Sequence, residues 1–352
     1  MDGALPFSDR GLQVVALVTF LLLGCAVAFT LTAGWLRAAN IRNERRWARL
    51  EKLWEPVIMA VLTGETAESE LRARVHRRDH MRFAAFLLRY ARQLKGAERD
   101  TVLRLAAPYL DDIAVDLRRR SPEIRARALQ TLGELSVAEY SQDFLRALDD
   151  RSHLVAMTAA QALARHYDPA YADRLIQVLD RFQHWSIGYL AAMLANMGPE
   201  SAPVLRAALA DSTRPPQVRA VIARTLTALK DVGAADLACE VLKSEQDVDL
   251  LVPVLGLIEK VGRRDHLPAV RELLHSPDHA VRASAVSTLA RIGTPADTAA
   301  IRSALDDQSN WVVLHAVRGL NDIGEADFLA DIAGSDHPGA LAARELLWSK
   351  QA

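Results

Sequence analysis

The chain has 352 residues, half of them apolar and 6% aromatic, with a formal net charge of −1. That balance is typical of Ala/Leu-rich helical proteins, and two cysteines, Cys25 and Cys239, supply neither a disulfide framework nor metal-ligand spacing. The small total hides three blocks, −1 over residues 1–36, +7 over residues 37–95 and −7 over residues 96–352, and the long acidic block argues against nucleic acid as a partner.

The first predicted element is apolar. From Gly11 to Leu36 there are 26 consecutive residues without a charge, and about 20 helical residues suffice to cross a hydrocarbon core. The run predicts one transmembrane helix over residues 12–36, preceded by a tail of residues 1–11 outside the cytoplasm. Trp35 falls at interfacial depth, and the membrane-proximal basic residues Arg37, Arg42, Arg45, Arg46 and Arg49 follow closely. Because positive charge stays on the cytoplasmic side, the rest of the chain is expected in the cytoplasm, under the inner (plasma) membrane of a bacterial-type cell. A cleaved signal peptide is the competing reading, with Ala26-Val27-Ala28 as its small-residue motif. It is disfavoured, since the residues before Gly11 hold two Asp against one Arg and the apolar run continues through Phe29 and Leu31. Gly24, Ala28 and Thr32 form a small-residue row of the kind that packs membrane helices together.

Residues 37–78 read as a basic juxtamembrane linker and an N-terminal helical cap. Within them, residues 41–62 predict a helix with Trp47, Leu50, Trp54, Val57, Ile58 and Val61 near one stripe. Two readings fit. The basic face lies on anionic headgroups, or the apolar stripe covers the open end of the domain that follows; opposite faces of one helix allow both.

Beyond residue 79 the informative signal is self-similarity. Segments beginning at Ile124, Val155, Ser186, Val218, Leu250, Val281 and Val312 start 31 or 32 residues apart. Eight residues into each stands Leu132, Leu163, Leu194, Leu226, Ile258, Leu289 or Leu320, and twenty-four residues in come Leu148, Leu179, Leu242, Leu274 and Leu305, with Leu209 one position early. About 31 residues accommodate two helices of roughly a dozen residues and two turns. Asp168-Pro169, Gly198-Pro199, Gly262, Gly293-Thr294-Pro295 and Gly324 break the chain at matching places. The expected fold is all-α: an α-solenoid of helix pairs over residues 79–352, about eight repeats with an irregular first one and a terminal half-repeat, preceded by one transmembrane helix.

The segments that open with Val218-Arg219-Ala220 and Val281-Arg282-Ala283 resemble the short HEAT-like repeats associated with phycobilisome lyases. The resemblance implies an arginine at Arg125, Arg219, Arg282 and Arg344, and an aspartate at the end of second helices at Asp149, Asp180, Asp211 and Asp306. Repeats at Val155, Ser186, Leu250 and Val312 lack the arginine, so an Arg–Asp ladder between repeats is expected to be interrupted. The order of anchor, basic linker, Leu53-Trp54-Glu55-Pro56 and Arg78-Asp79 is similar to bacterial membrane-anchored HEAT-repeat proteins encoded beside a membrane glycosyltransferase, which implies such an inner-membrane enzyme as the protein partner.

Catalysis is not expected. None of the ten His is followed by Glu, unlike the His-Glu pairs of HEAT-type deoxyhypusine hydroxylases, and His266, His275 and His279 read as surface residues with no completing carboxylates. No phosphate-binding glycine loop or nucleophile elbow is present. Neither a cofactor, a metal nor a small-molecule substrate is expected; a HEAT-type bilin lyase and a lipid-surface sensor acting through the basic linker are the alternatives to a scaffold. For partner binding, Arg146, Arg206, Arg271 and Arg302 fall at nearly equivalent second-helix positions and either line a concave wall or stand solvated. Trp185 and Trp311 each precede the first residue of a repeat, where other repeats carry Glu123, Gln217 and Asp249. Each is either an exposed interaction anchor or a hydrophobic staple onto the helix that follows.

Overall fold

The protein is described by a computed structural model covering residues 9–349 except Arg92, Lys95, Ser136 and Tyr167. Most of the expected tail, residues 1–8, lies outside the described residues. Every regular element among the described residues is helical, and the chain divides into two compact units, Met1–Asp112 and Ile113–Ala352.

The first unit contains α1 (Asp9–Leu62), α2 (Glu68–Ala73), α3 (His80–Ala91), α4 (Ala97–Ala106) and the start of α5 (Leu110–Asp116). The apolar run and the amphipathic segment, expected as separate elements, are one helix of 54 residues, roughly 80 Å long at about 1.5 Å per residue. Its continuity follows from composition. Between Leu36 and Pro56 there is neither Gly nor Pro, and Ala, Arg, Leu, Glu and Lys dominate, all strong helix formers.

The two halves of α1 meet different surroundings. Leu17, Phe20, Leu21, Leu22, Phe29, Leu31, Trp35 and Leu36 are each exposed to about three-fifths or more of their surface. Trp54, Val57, Ile58 and Val61 are buried, and the Trp54 ring meets Phe83 edge-on at 5.0 Å and Phe86 at 5.7 Å on α3. Polar clamps flank this contact: Arg46 donates to the buried Asp79 carboxylate at 2.9 Å, Arg89 to Glu51 at 2.7 Å, and the Arg82 guanidinium lies 3.5 Å over the Trp47 ring. The Tyr90 hydroxyl donates to Glu55 at 2.6 Å, and that carboxylate pushes the phenol up to about 12.

The second unit is a run of helix pairs: α6 (Pro122–Leu135) with α7 (Val137–Ala147), α8 (His153–Arg165) with α9 (Pro169–Gln177), and α10 (Ile187–Ala195) with α11 (Ala202–Ala210). Next come α12 (Pro216–Leu229) with α13 (Ala235–Ser244), α14 (Val248–Val261) with α15 (Leu267–Glu272), and α16 (His279–Ile292) with α17 (Thr298–Ser303). The series closes with α18 (Asn310–Asp322), α19 (Ala326–Ala333) and α20 (Ala340–Ser349). First helices stack on first helices, and this layer is the more closely packed of the two.

Periodic leucines build the core. All seven residues eight positions into the repeats are at most 1% exposed, each burial contributing roughly 1.5–3 kcal/mol of hydrophobic stabilisation. Of the second-helix leucines, Leu148, Leu179, Leu209, Leu242 and Leu305 are buried, whereas Leu274 is only half-buried. Leu274 lies in a 3-10 turn over Leu273–His275 that follows α15. Gly262 and Gly293 end α14 and α16 where no side chain fits, since a Cβ would lie 2.4 Å from the Ile258 carbonyl oxygen and 2.3 Å from that of Leu289.

Candidate protein-interaction surface

The turns between repeats are held by arginine. Arg125 grips Asp150 through two nitrogens at 2.7 and 2.9 Å while Nη1 donates to the carbonyls of Arg119 and Arg120. Arg282 repeats this with Asp307 at 2.7 and 2.8 Å and with the carbonyls of Ser276 and Pro277. In each repeat one guanidinium thus ties the preceding turn to the following one. The carboxylate also accepts from the next turn, at Ser152 N or Ser309 N, 2.8 Å in both cases. The Arg282 hydrogen bond holds Asp307 below the usual carboxylate range. Burial alone would raise Asp150, but Arg125 and the Ser152 N–H outweigh it and hold the carboxyl down.

This corrects the expected partners. The ladder carboxylates are Asp150 and Asp307, one residue beyond Asp149 and Asp306, because the acceptor must lie in the turn rather than on the last helical turn. Asp149 pairs instead with Arg174, Asp306 with His337 at 3.2 Å, and Asp211 with Thr213 and Arg214. Arg219 is buried against Glu245 and the Leu209 carbonyl, and Arg344 reaches the carbonyls of Ala333 and Ser335. Where the repeat at Val155 lacks the arginine, Arg181 reaches back from the following 3-10 turn to the carbonyls of Leu148 and Asp150.

The second-helix arginines form another series. Arg206 approaches Asp231 at 3.5 Å, Arg271 holds Asp297 at 2.7 and 3.1 Å, and Arg302 pairs with Glu325 while lying 4.3 Å over the Phe328 ring. Each pair joins a second helix to the turn of the next repeat. Arg146 is mostly exposed and, among the described residues, pairs with Asp143, one helical turn earlier, at 3.3 Å. Trp185 stacks on Tyr189 at 5.0 Å and Trp311 meets His315 edge-on at 4.9 Å, so each rests on the residue four positions later. They remain 38% and 51% exposed, which leaves ring surface for a second contact. On α1, Arg37, Arg42, Arg45, Arg46 and Arg49 are all exposed, with Arg46 on Asp79 and Arg42 on the Ala38 carbonyl.

A groove of about 490 Å³ crosses the first helices α10, α12, α14, α16 and α18. Gly188 and Gly256 lie in its floor. Both are helical, yet around Gly256 there is nothing within 4 Å of a built Cβ, and around Gly188 only an Arg224 nitrogen at 4.0 Å. Helical Gly133 and Gly319 differ, because a Cβ there would meet Ala162 at 2.7 Å and Ala290 at 2.8 Å. Mid-helix glycine costs about 1 kcal/mol relative to Ala, and close packing accounts for Gly133 and Gly319 but not for Gly256, while Gly188 stands in the first turn of α10. Three polar groups in the groove lack partners among the described residues: the Arg224 guanidinium, the Glu259 carboxyl, and His315 Nε2, which is buried while Nδ1 meets Ser287 Oγ at 2.6 Å. Burial raises the Glu259 carboxyl and lowers the His315 imidazolium.

The family described as HEAT repeats matches residues 112–188 and 251–321. The stretch between the matches holds two further helix pairs, α10 with α11 and α12 with α13, in the same spacing. Residues 112–188 and 251–321 are HEAT repeats. Among solved structures it is similar to the complex of CpcE and CpcF of phycocyanin lyase from Nostoc sp., at 19% identity over 69% of this chain and 88% of that one, with a TM-score of 0.34. It is also similar to human deoxyhypusine hydroxylase, at 18% identity over 79% of this chain and 98% of that one, TM-score 0.32. A further similarity is to Kap121p, at 13% identity over 76% of this chain and 35% of that one, TM-score 0.38. No curated protein matches significantly.

Within the HEAT repeats, His266 is not a surface residue. It is 3% exposed, its Nδ1 accepts from Arg263 N–H at 2.9 Å, and Nε2 therefore carries the proton donated to Asp236 at 2.8 Å. His275 and His279 are exposed. Among the described residues no three His, Cys, Asp or Glu side chains gather as metal ligands. The groove went unseen in the sequence, although Gly256 inside the otherwise strong helix pattern of α14 was a signal for it.

Proposed function

We propose that this HEAT-repeat protein is a non-catalytic adaptor that α1 anchors in the inner (plasma) membrane and whose solenoid holds a protein partner at the cytoplasmic face. The repeat architecture supports the general role, since stacked helix pairs present extended surfaces to other proteins. The observation that carries the anchored reading is the bare half of α1. It has a mean hydropathy of 2.1 over its most apolar window, and none of that window is buried by the chain. A helix apolar all round needs a bilayer or a protein around it. The five exposed arginines from Arg37 to Arg49 support, under the positive-inside rule, a cytoplasmic solenoid and an N-terminus outside.

Anchoring confines the repeats near the bilayer and raises the effective concentration of any weak contact with a membrane enzyme. Trp185 and Trp311 are the contact anchors in this reading, with Arg146, Arg206, Arg271 and Arg302 secondary because three of them already serve pairs between repeats. A glycosyltransferase as that enzyme rests on the sequence resemblance. The test is alkaline carbonate extraction of membranes carrying the full chain or a variant lacking residues 11–36. The full chain should stay in the pellet and cross-link to an integral membrane protein, and the deletion should be released. Release of the full chain by carbonate would overturn the anchor.

A further inference from the structure

The bare apolar half of α1 ends at Leu36, and the charge just beyond it is one-sided. Residues 37–49 hold five arginines against Glu44, and Arg37, Arg42, Arg45 and Arg49 have no carboxylate partner among the described residues. Arg42, Arg45 and Arg49 leave α1 on the side away from Trp47 and Trp54, the side that meets α3.

The fold brings a second group of cations to the same place from further along the chain. Contacts advance together along both helices, from Arg46 on Asp79 to Glu55 on Tyr90, so α3 runs parallel to α1. The 3-10 turn that precedes α3, Arg77–Asp79, therefore stands at the Leu36 end of the contact. Arg82 donates to Asn43 at 3.3 Å and covers the Trp47 ring. The side chains of Arg77 and Arg78 stay 84% and 71% exposed, although Asp112 and Asp79 stand beside them. In residues 37–49 and 77–82, eight arginines are set against Glu44 and Asp79, with Asp112 reaching Arg77 from α5.

Height along α1 selects the occupant. Arg46 and Trp47, where the second group docks, lie ten and eleven residues past Leu36, about 15 Å along the axis. A headgroup layer is roughly 5–8 Å thick and its charge acts about 8 Å further at physiological salt, so both groups are within reach of a lipid surface at Leu36. A protein would find little to grip there. Protein interfaces centre on desolvated apolar side chains, whereas between residues 37 and 50 the one large apolar side chain left exposed is Ile41.

We propose that Arg77, Arg78 and Arg82 join the arginines of residues 37–49 in a collar that binds anionic phospholipid headgroups on both sides of α1. The collar rests on the anchored reading and names the lipid chemistry of that membrane face.

The test uses the full chain reconstituted in phosphatidylcholine vesicles with a trace of phosphatidylglycerol or phosphatidylcholine that carries pyrene at an acyl end. Energy transfer from tryptophan, with Trp35 and Trp47 at the collar, reads which headgroup gathers around α1. Phosphatidylglycerol should be preferred about tenfold, and the preference should vanish at about 1 M salt. Arg77→Gln/Arg78→Gln should lower it by about fivefold, and so should Arg42→Gln/Arg45→Gln on the unpacked side of α1. All four side chains are exposed, so circular dichroism of both variants should match the wild type. Equal transfer to the two lipids, or an undiminished preference in either folded variant, would overturn the collar. If the full chain resists carbonate but shows no headgroup preference, the anchor stands and the collar fails. If carbonate releases the chain but phosphatidylglycerol is still preferred, the collar stands and the anchor is what fails.

Discussion

Asp297 gathers four hydrogen bonds on one buried carboxylate, from Arg271 Nε and Nη2 and from the Thr294 amide and hydroxyl. Arg271 is the main reason its carboxyl is held down to about 2 from an ordinary 3.8, against the opposing effect of burial. The folded chain thus binds this proton less tightly than the unfolded chain, so the associated stability is complete above about pH 4 and is lost as pH falls toward 2. The shift corresponds to about 2 kcal/mol. Asp297→Asn is expected to lose about that much at pH 7 and to show a shallower acid limb between pH 4 and 2, measured by urea unfolding across pH. An acid limb as steep as the wild type's would count against this reading. The residue was legible in sequence only as part of a turn after Gly293-Thr294-Pro295; that it meets Arg271 depends on two repeats stacking.

For the helices, Gly256 and Gly319 give opposite forecasts from one substitution. Gly256→Ala should stabilise the protein by about 0.5–1 kcal/mol, because α14 gains helix propensity and the new methyl group enters open space. Gly319→Ala should destabilise it by roughly 1–3 kcal/mol, because the added Cβ would press on Ala290 of α16. Thermal unfolding followed by circular dichroism separates the two signs, and a loss of stability in Gly256→Ala would mean that the groove floor is packed. The helix positions themselves were readable from periodic leucines, since a 3.6-residue repeat of buried positions needs no tertiary information. The continuity of α1 was also written in its composition, since no Gly or Pro falls between Leu36 and Pro56. Leu274 followed the periodic pattern and is still only half-buried.

At the scale of the molecule, the second unit keeps its cores between neighbouring repeats, so residues 113–352 produced alone should be soluble, strongly helical and elongated in small-angle scattering. A compact spherical profile or a mainly random-coil spectrum would contradict that expectation. The sequence by itself determined the helical class, the repeat length, the buried leucine series and the long uncharged apolar segment, because each follows from the order of residues along one helix or from a fixed period. Only the tertiary structure decided that Asp150 and Asp307, rather than their neighbours, close the arginine ladder, and that His266 is buried. It also decided that Arg224, Glu259 and His315 from three different repeats face one groove. The reason is geometric: a ladder partner or a groove is set by the rotation and rise between stacked repeats, and that operation joins side chains 25 to 91 residues apart without leaving a local mark on the sequence.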